Sequence, residues 1–351
     1  MNTRIKSLIE KILPQSIVNA LKRVKSFLMT IVHVIFRIYI KIFSPLAIPI
    51  MKHMAVTGDG TDNCLKHGFL PVPVHFYQPV PDIFELEKRN VWDNISKLRG
   101  IRFEPEIYIE FFKQISLKYA DECNWPNEQS LDPRQFYLHN ENFSYGCAAP
   151  LHCIIRHNKP GQIVEIGSGY SSRVIAAAIE LNNFENHETR YTVIDPYSRL
   201  DVNNFPKNTN IIRQPVELMN LDIFESLEEN DILFIDSSHV CKTGSDVNFE
   251  ILEILPALKK GVLIHFHDIP LPFEYGKVYA TNPAFRVFWT EAYLLQAFLI
   301  CNSDFQIILP MTYLQRHYLD DLKKSFPHSL KTDFGWLSGS FWIKRISDSV
   351  N

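Results

Sequence analysis

Ile163-Val164-Glu165-Ile166-Gly167-Ser168-Gly169-Tyr170-Ser171-Ser172 is an apolar run that closes on an acid and a Gly-Ser-Gly turn and then enters an alanine-rich segment. It predicts a strand, a tight loop and a helix. Val164 and Ile166 suit a buried parallel strand. Gly167 and Gly169 can take positive φ and let the backbone approach a ligand with no Cβ in the way. Arg173 to Leu181 continues as a helix whose first N–H groups face whatever rests on the glycine loop. Any strand-to-helix turn favours glycine, so the downstream segments decide what the pair means.

Strand candidates recur behind it at the spacing of a βαβ array. Tyr191 to Ile194 ends at Asp195-Pro196, which sets an acid at the carboxyl end of the second strand, where a ribose is gripped in sheets of this kind. Asn210 to Arg213 leads into Gln214-Pro215-Val216. Asp231 to Ile235 ends at Asp236-Ser237-Ser238-His239, and Val262 to Phe266 ends at His267-Asp268. Polar groups therefore gather at strand ends, where an open α/β sheet binds ligands. Phe305 to Leu309 and Ser340 to Lys344 supply two last strands for an antiparallel edge hairpin.

From about Leu151 to Lys344 the chain resembles class I S-adenosylmethionine-dependent methyltransferases. The glutamate-x-glycine-x-glycine of Glu165 to Gly169 is similar to the family's first motif, and Asp195 to its second. Phe-Ile-Asp-Ser-Ser-His from Phe234 and His-Asp-Ile-Pro-Leu-Pro-Phe from His267 resemble a bacterial subgroup grouped with catechol-type and macrolide-sugar O-methyltransferases. Trp289 to Leu299 and Pro71 to Tyr77 share that likeness, which so covers nearly everything after about residue 65. The resemblance implies an α/β fold with a Rossmann-like seven-stranded sheet and helices on both faces. It also implies S-adenosylmethionine as cofactor, held by Glu165, Gly167, Ser168, Gly169, Asp195, Val216 and Asp236, and O-methylation of a hydroxylated small molecule, sugar or glycan. Cys147 departs from the pattern, since an acid is expected there in a glycine-acid-alanine phrase.

Methyl transfer to a hydroxyl requires donor and acceptor to be juxtaposed and the acceptor's proton to be removed. Asp236, His239 and His267 are the catalytic candidates, with His239 as general base because it lies close to Asp236 and titrates near neutrality. Catechol-type relatives carry oxygen ligands for magnesium at the equivalent strand ends, which implies a divalent metal on Asp236, His267 and Asp268. His267 in that set makes a softer site. The plainer reading of His265 and His267 is a buried, hydrogen-bonded imidazole, and alternation puts His265 on the same face but deeper. Tyr275, Trp289 and Tyr293 are candidate pocket walls.

The composition is that of an ordinary globular chain, 46% hydrophobic and 21% charged over 351 residues. Six cysteines without a Cys-x-x-Cys pair speak against a zinc knuckle or a disulfide scaffold and fit a reducing compartment. No nucleic-acid motif is present. Net charge is −3, but residues 1–55 hold nine Lys or Arg and one acid, Glu10. Ser16 to Phe43 is strongly apolar, and His33, Arg37 and Lys41 recur every fourth residue, a single stripe of a helix that Pro45 and Pro49 should end. A spanning helix would bury Arg37 and Lys41 at about 2.5 to 3.5 kcal/mol each, whereas a helix lying in the interface avoids that cost. The expectation is a cytoplasmic protein touching the inner membrane face through residues 16–43; an arm packed on protein uses the same apolar face.

The chain so divides into three segments: a basic amphipathic arm at 1–55; a linker, a proline and aromatic strap and a helical cap at 56–145; and the methyltransferase domain at 146–351. Val56 to Leu70 reads as linker, Ile83 to Leu98 and Glu104 to Tyr119 as cap helices, Ala149 to Asn158 as the first core helix, and Phe285 to Phe298 as a lid and helix. A homo-oligomer is compatible with these features. Two other classes stay open. A nicotinamide-dependent oxidoreductase wants a third glycine where Ser172 stands, and a non-catalytic scaffold could keep the fold without the chemistry.

Overall fold

The computed structural model describes residues 15–331 and 336–347. Five helices frame the chain's architecture: α1 (Gln15–Thr57), α2 (Pro105–Tyr119), α3 (Tyr145–Asn158), α4 (Tyr170–Phe184) and α5 (Glu291–Leu299). Seven strands form one sheet: β1 (Gln162–Ile166), β2 (Arg190–Ile194), β3 (Thr209–Ile212), β4 (Ile232–Ile235), β5 (Leu263–Phe266), β6 (Phe305–Pro310) and β7 (Phe341–Arg345). Their order is β3-β2-β1-β4-β5-β7-β6. β1 to β5 run parallel, and β7 is antiparallel to both β5 and β6. This is the Rossmann-like methyltransferase sheet that the sequence implies, with the edge hairpin in place.

The central parallel strands are buried on both faces, so they read as mostly apolar runs rather than alternating ones, while the edge strand β3 is only partly buried. β4 and β5 are buried at every residue. Chain direction reverses its spread between β1 and β4, the point at which open α/β sheets bind ligands. Register brings Ile166 level with Ile194 and Ile235, and Ile235 level with Phe266. The next residues along each strand, Gly167, Asp195, Asp236 and His267, therefore emerge in one row along the sheet's carboxyl edge.

The chain divides into two compact units, one up to Asp82 and one from Ile83 onward. In the second unit α2 covers the core with Tyr108, Ile109, Phe112 and Ile115, a face spaced at the helical repeat. Phe112 is fully buried against Phe326 and Trp336. α3 starts at Tyr145, a turn earlier than the sequence suggests, and α4 runs from Tyr170. The helix expected over Ile83 to Leu98 stops at Lys88. Asn90 takes a left-handed φ of 49°, and Ile95 bridges to Phe273 while Ser96 N donates to Pro272 O at 2.7 Å. The backbone there satisfies its hydrogen bonds on the loop after β5 instead of within a helix.

In the first unit α1 is one helix through both prolines and on to Thr57, and a second short helix comes after it at Thr61–Lys66. The expected stop at Pro45 and the expected linker from Val56 are thus corrected. Each proline removes one ladder bond, and the helix continues on both sides of the gaps. All six cysteines are free thiols.

Truncating Phe112 to alanine should lower the unfolding free energy by about 3 to 5 kcal/mol, because the side chain fills a closed aromatic cluster. Urea unfolding of Phe112→Ala beside the parent would measure it. A loss under about 1 kcal/mol would show that α2 is not part of the core.

Candidate active site

The loop after β1 is shaped from below. Glu165 is 0% exposed and accepts hydrogen bonds from Ser171 Oγ at 2.6 Å, Ser172 Oγ at 2.8 Å and Tyr191 Oη. Burial raises its carboxyl to about 7, even with those three donors. This corrects the placement of Glu165 among the cofactor contacts: its carboxylate ties α4 to β1 beneath the loop and faces no open space. Gly167 has φ 83°, and a Cβ there would lie 2.0 Å from the Asp236 carbonyl oxygen. Only glycine fits. Gly169 is extended at φ 179°, so it is not held by its dihedral; a Cβ there would meet nothing within 4 Å, which leaves open space above the loop.

Asp195 stands at the end of β2 with Oδ2 accepting from Ser168 Oγ and Oδ1 from Tyr197 N at 2.7 Å. Each oxygen keeps a free lone pair. Val216 begins a short turn after β3 and is buried in the core.

At the ends of β4 and β5 four charged side chains meet. His239 Nε2 lies 3.4 Å from Asp236 Oδ1 and 3.9 Å from Asp268 Oδ2; His267 Nδ1 lies 3.5 Å from each of the same two oxygens. The aspartates are a third and a quarter exposed, at 32% and 26%, while both imidazoles are buried. Burial opposes charge on all four, but the facing charges win: Asp236 and Asp268 are held below the usual carboxylate range, His267 well above the usual imidazole range, and His239 rises to about 10. These contacts favour the protonated imidazole, which weighs against His239 as general base.

Against the opposing burial, Asp236 raises the His239 value first, and Glu291, the residue that sequence reasoning missed, adds its own hydrogen bond and charge. From the first turn of α5 its Oε2 accepts from His239 Nδ1 at 2.7 Å, and it is 1% exposed. The N–H groups of Thr290 and Glu291 also bond the His239 carbonyl at 2.9 and 3.2 Å. Trp289 packs on the imidazole with ring centroids 4.7 Å apart. In sequence Glu291 looks like the common acid of a helix's first turn; its distance of 52 residues from His239 hides the pair.

Among the described residues no group of three or more His, Cys, Asp or Glu is arranged to hold a metal ion. The set Asp236, His267 and Asp268 does not fit magnesium, which demands a near-octahedral shell of oxygens: two imidazoles face the carboxylates. His265 is fully buried, its Nε2 3.0 Å from Ser340 Oγ and its ring stacked on Phe234, and burial drives it well below the usual imidazole range. It belongs to the core.

Beside Asp268 and His267 opens a cavity of about 560 Å3. The loop 138–144 walls one side, knotted by Asn140, whose amide bonds the backbone of Tyr137, Asn142 and Phe143. Tyr275 and Tyr279 wall another, with Ser144, Thr312 and Ser338 adding hydroxyls. Of the expected aromatic walls, Tyr275 takes part; Trp289 serves His239 instead, and Tyr293 bonds Glu274. Cys147 also lines the cavity; burial raises its thiol, but the facing His267 imidazolium outweighs that and brings it down to about 7.

Gly167→Ala should cost about 3 kcal/mol or more in stability, and Gly169→Ala within about 1 kcal/mol, both by denaturant unfolding. Glu291→Gln should weaken proton binding at His239 on the order of tenfold, read by imidazole NMR titration. Because the His239 value is raised, its contribution to stability is full below about 6.5 and lost as pH rises through about 10. The melting temperature should fall across that window, and fall less in Glu291→Gln. An unchanged His239 titration in the variant would refute the pairing.

Residues 164–269 match the model of a methyltransferase domain family. An uncharacterised protein of Archaeoglobus fulgidus is 30% identical over 204 residues, 54% of this chain and 88% of that relative. Among solved structures, the O-methyltransferase TomG from Streptomyces achromogenes in complex with S-adenosylmethionine is 15% identical, covers 70% of this chain and 100% of that one, and superposes with a TM-score of 0.35. An O-methyltransferase from Bacillus cereus in complex with S-adenosylhomocysteine is 12% identical, covers 68% and 91%, and gives 0.33. The matched domain spans the glycine loop and the strand ends, and the chain carries a methyltransferase domain there.

Proposed function

We propose that this chain binds S-adenosylmethionine over the Gly167–Gly169 loop and methylates a hydroxyl of a small molecule, sugar or glycan held beside Asp268. One observation carries the reading: Gly167, Asp195, Asp236 and His267 leave register-paired strand residues in one row, with an open polar and aromatic cavity next to it. The residues fit the cofactor. The space above Gly169 is free, the first N–H groups of α4 face it, and Asp195 has lone pairs left for the two ribose hydroxyls.

The cofactor supplies an electrophilic methyl group on a sulfonium. Asp268 lies on the cavity wall and is the group placed to accept the acceptor's hydroxyl proton as oxygen attacks. His239 and His267 keep that carboxylate ionised and oppose the negative charge that develops on the attacking oxygen. Tyr275 and Tyr279 offer flat apolar faces, and Asn142, Ser144 and Ser338 offer hydrogen bonds, a mixture that suits a hydroxylated ring. The same reading puts the enzyme in the cytoplasm, in contact with the inner membrane face through residues 16–43. A nicotinamide cofactor is disfavoured because the third glycine position is Ser172, whose hydroxyl bonds Glu165 and the Gly169 N–H.

Calorimetry should give binding of S-adenosylmethionine and none of NAD, and Asp195→Ala should weaken the former at least tenfold. Retained affinity in that variant would remove Asp195 from the site. With an acceptor identified by mass spectrometry of co-purified molecules, Asp268→Asn should cost roughly 10²- to 10⁴-fold in rate. Turnover should survive chelation by EDTA, and its abolition would restore a metal to the mechanism.

A further inference from the structure

We propose that α1 lies flat in the surface of an anionic membrane along its whole length, its basic stripe at the headgroups and its apolar sides among the acyl chains. The proposal rests on the membrane reading above and extends it, since residues 16–43 are only part of a helix that continues through Pro45 and Pro49 to Thr57. Forty-three residues at 1.5 Å each make a rod about 64 Å long, roughly twice the 30 Å hydrocarbon core of a bilayer. A crossing helix would leave roughly half of that length outside the hydrocarbon.

Charge placement agrees. At about 100° per residue, Arg23, Ser26, Thr30, His33, Arg37 and Lys41 share an arc of roughly 100°. Two of these polar groups fold back on the helix, Thr30 Oγ1 donating to Ser26 O at 3.0 Å and His33 Nδ1 standing 2.8 Å from Met29 O. Lys22 borders that arc and Lys25 falls outside it near the start of the helix; from Ser26 to Phe43 every residue around the rest of the circumference is aliphatic or aromatic. Phe27, Phe36, Ile40, Ile42 and Leu46 are each more than 60% exposed, and by length and composition alone the stretch Arg23–Thr57 could also cross a membrane, so charge placement decides between the two. A water-soluble surface does not leave such a patch bare.

Six Lys or Arg and no Asp or Glu lie between Gln15 and Thr57, so the complementary surface is anionic lipid rather than neutral lipid or a basic protein. Crossing would bring Arg37 and Lys41 to the middle of the span, whereas in the plane both reach headgroups. His53 and Asp59, paired at 3.2 Å, mark where the first acid comes after the helix.

The test uses the full chain with vesicles of phosphatidylcholine alone and of phosphatidylcholine with 30%, roughly a physiological share, of phosphatidylglycerol. Flotation should show binding to the anionic vesicles, weakened at least tenfold by Arg37→Glu with Lys41→Glu and by high salt. On bound protein, Ser26→Cys and Ser44→Cys should both react with an impermeant maleimide added outside, as mapped by peptide mass. Protection of either position, or binding indifferent to charge reversal, overturns the flat placement while membrane contact stands. Failure to bind any vesicle overturns both and leaves the methyltransferase reading, tested by calorimetry, untouched.

Discussion

Everything at the carboxyl edge of the sheet depends on how closely two backbones pass. The turn after β1 meets the end of β4 so tightly that a methyl group at Gly167 would collide with the Asp236 carbonyl oxygen. That contact fixes the loop against the neighbouring strand, and the strand pairing carries the fix outward: Gly167 N bonds Ile194 O at 3.0 Å and Asp236 N bonds Ile166 O at 2.9 Å. The ligand-facing side chains hang from this lattice. Glu165 secures it from below by gathering three hydroxyls, so the floor of the loop is polar yet dry.

Above that floor the electrostatics are self-contained. Two carboxylates and two imidazoles stand within 4 Å of one another, and a third carboxylate, Glu291, holds one imidazole from behind. Paired charges of this sort need no reorganisation when a neighbouring atom changes charge, which is the property expected of a preorganised site. The arrangement also explains why a histidine that titrates near neutrality in isolation does not do so here.

Much of this is legible in the sequence, and the reason is specific. Parallel strands buried on both faces write themselves as short apolar runs, and Asp195, Asp236 and His267 come directly after those runs, so register alone aligns them. What stays hidden depends on distance in the chain. Glu291 resembles any acid in a first helical turn until its partner is seen, and the cavity is assembled from segments near residues 140, 275 and 338. The ionisation of His239 likewise stems from neighbours that no local pattern announces. At Pro45 and Pro49 a sound local rule fails, since the helix runs on past both.

His239 and Asp268 share one more trait, a left-handed backbone at φ 60° and 55°. An L-residue with a Cβ incurs roughly 1 kcal/mol or more for that conformation, and glycine would adopt it freely. Glycine at either position would relieve that strain but leave a charged partner unpaired, Glu291 behind His239 and His267 beside Asp268, so the ion pairs hold the strained backbone in place. The two side chains that face the cavity edge are thus aimed by a backbone that only their own charge contacts keep bent.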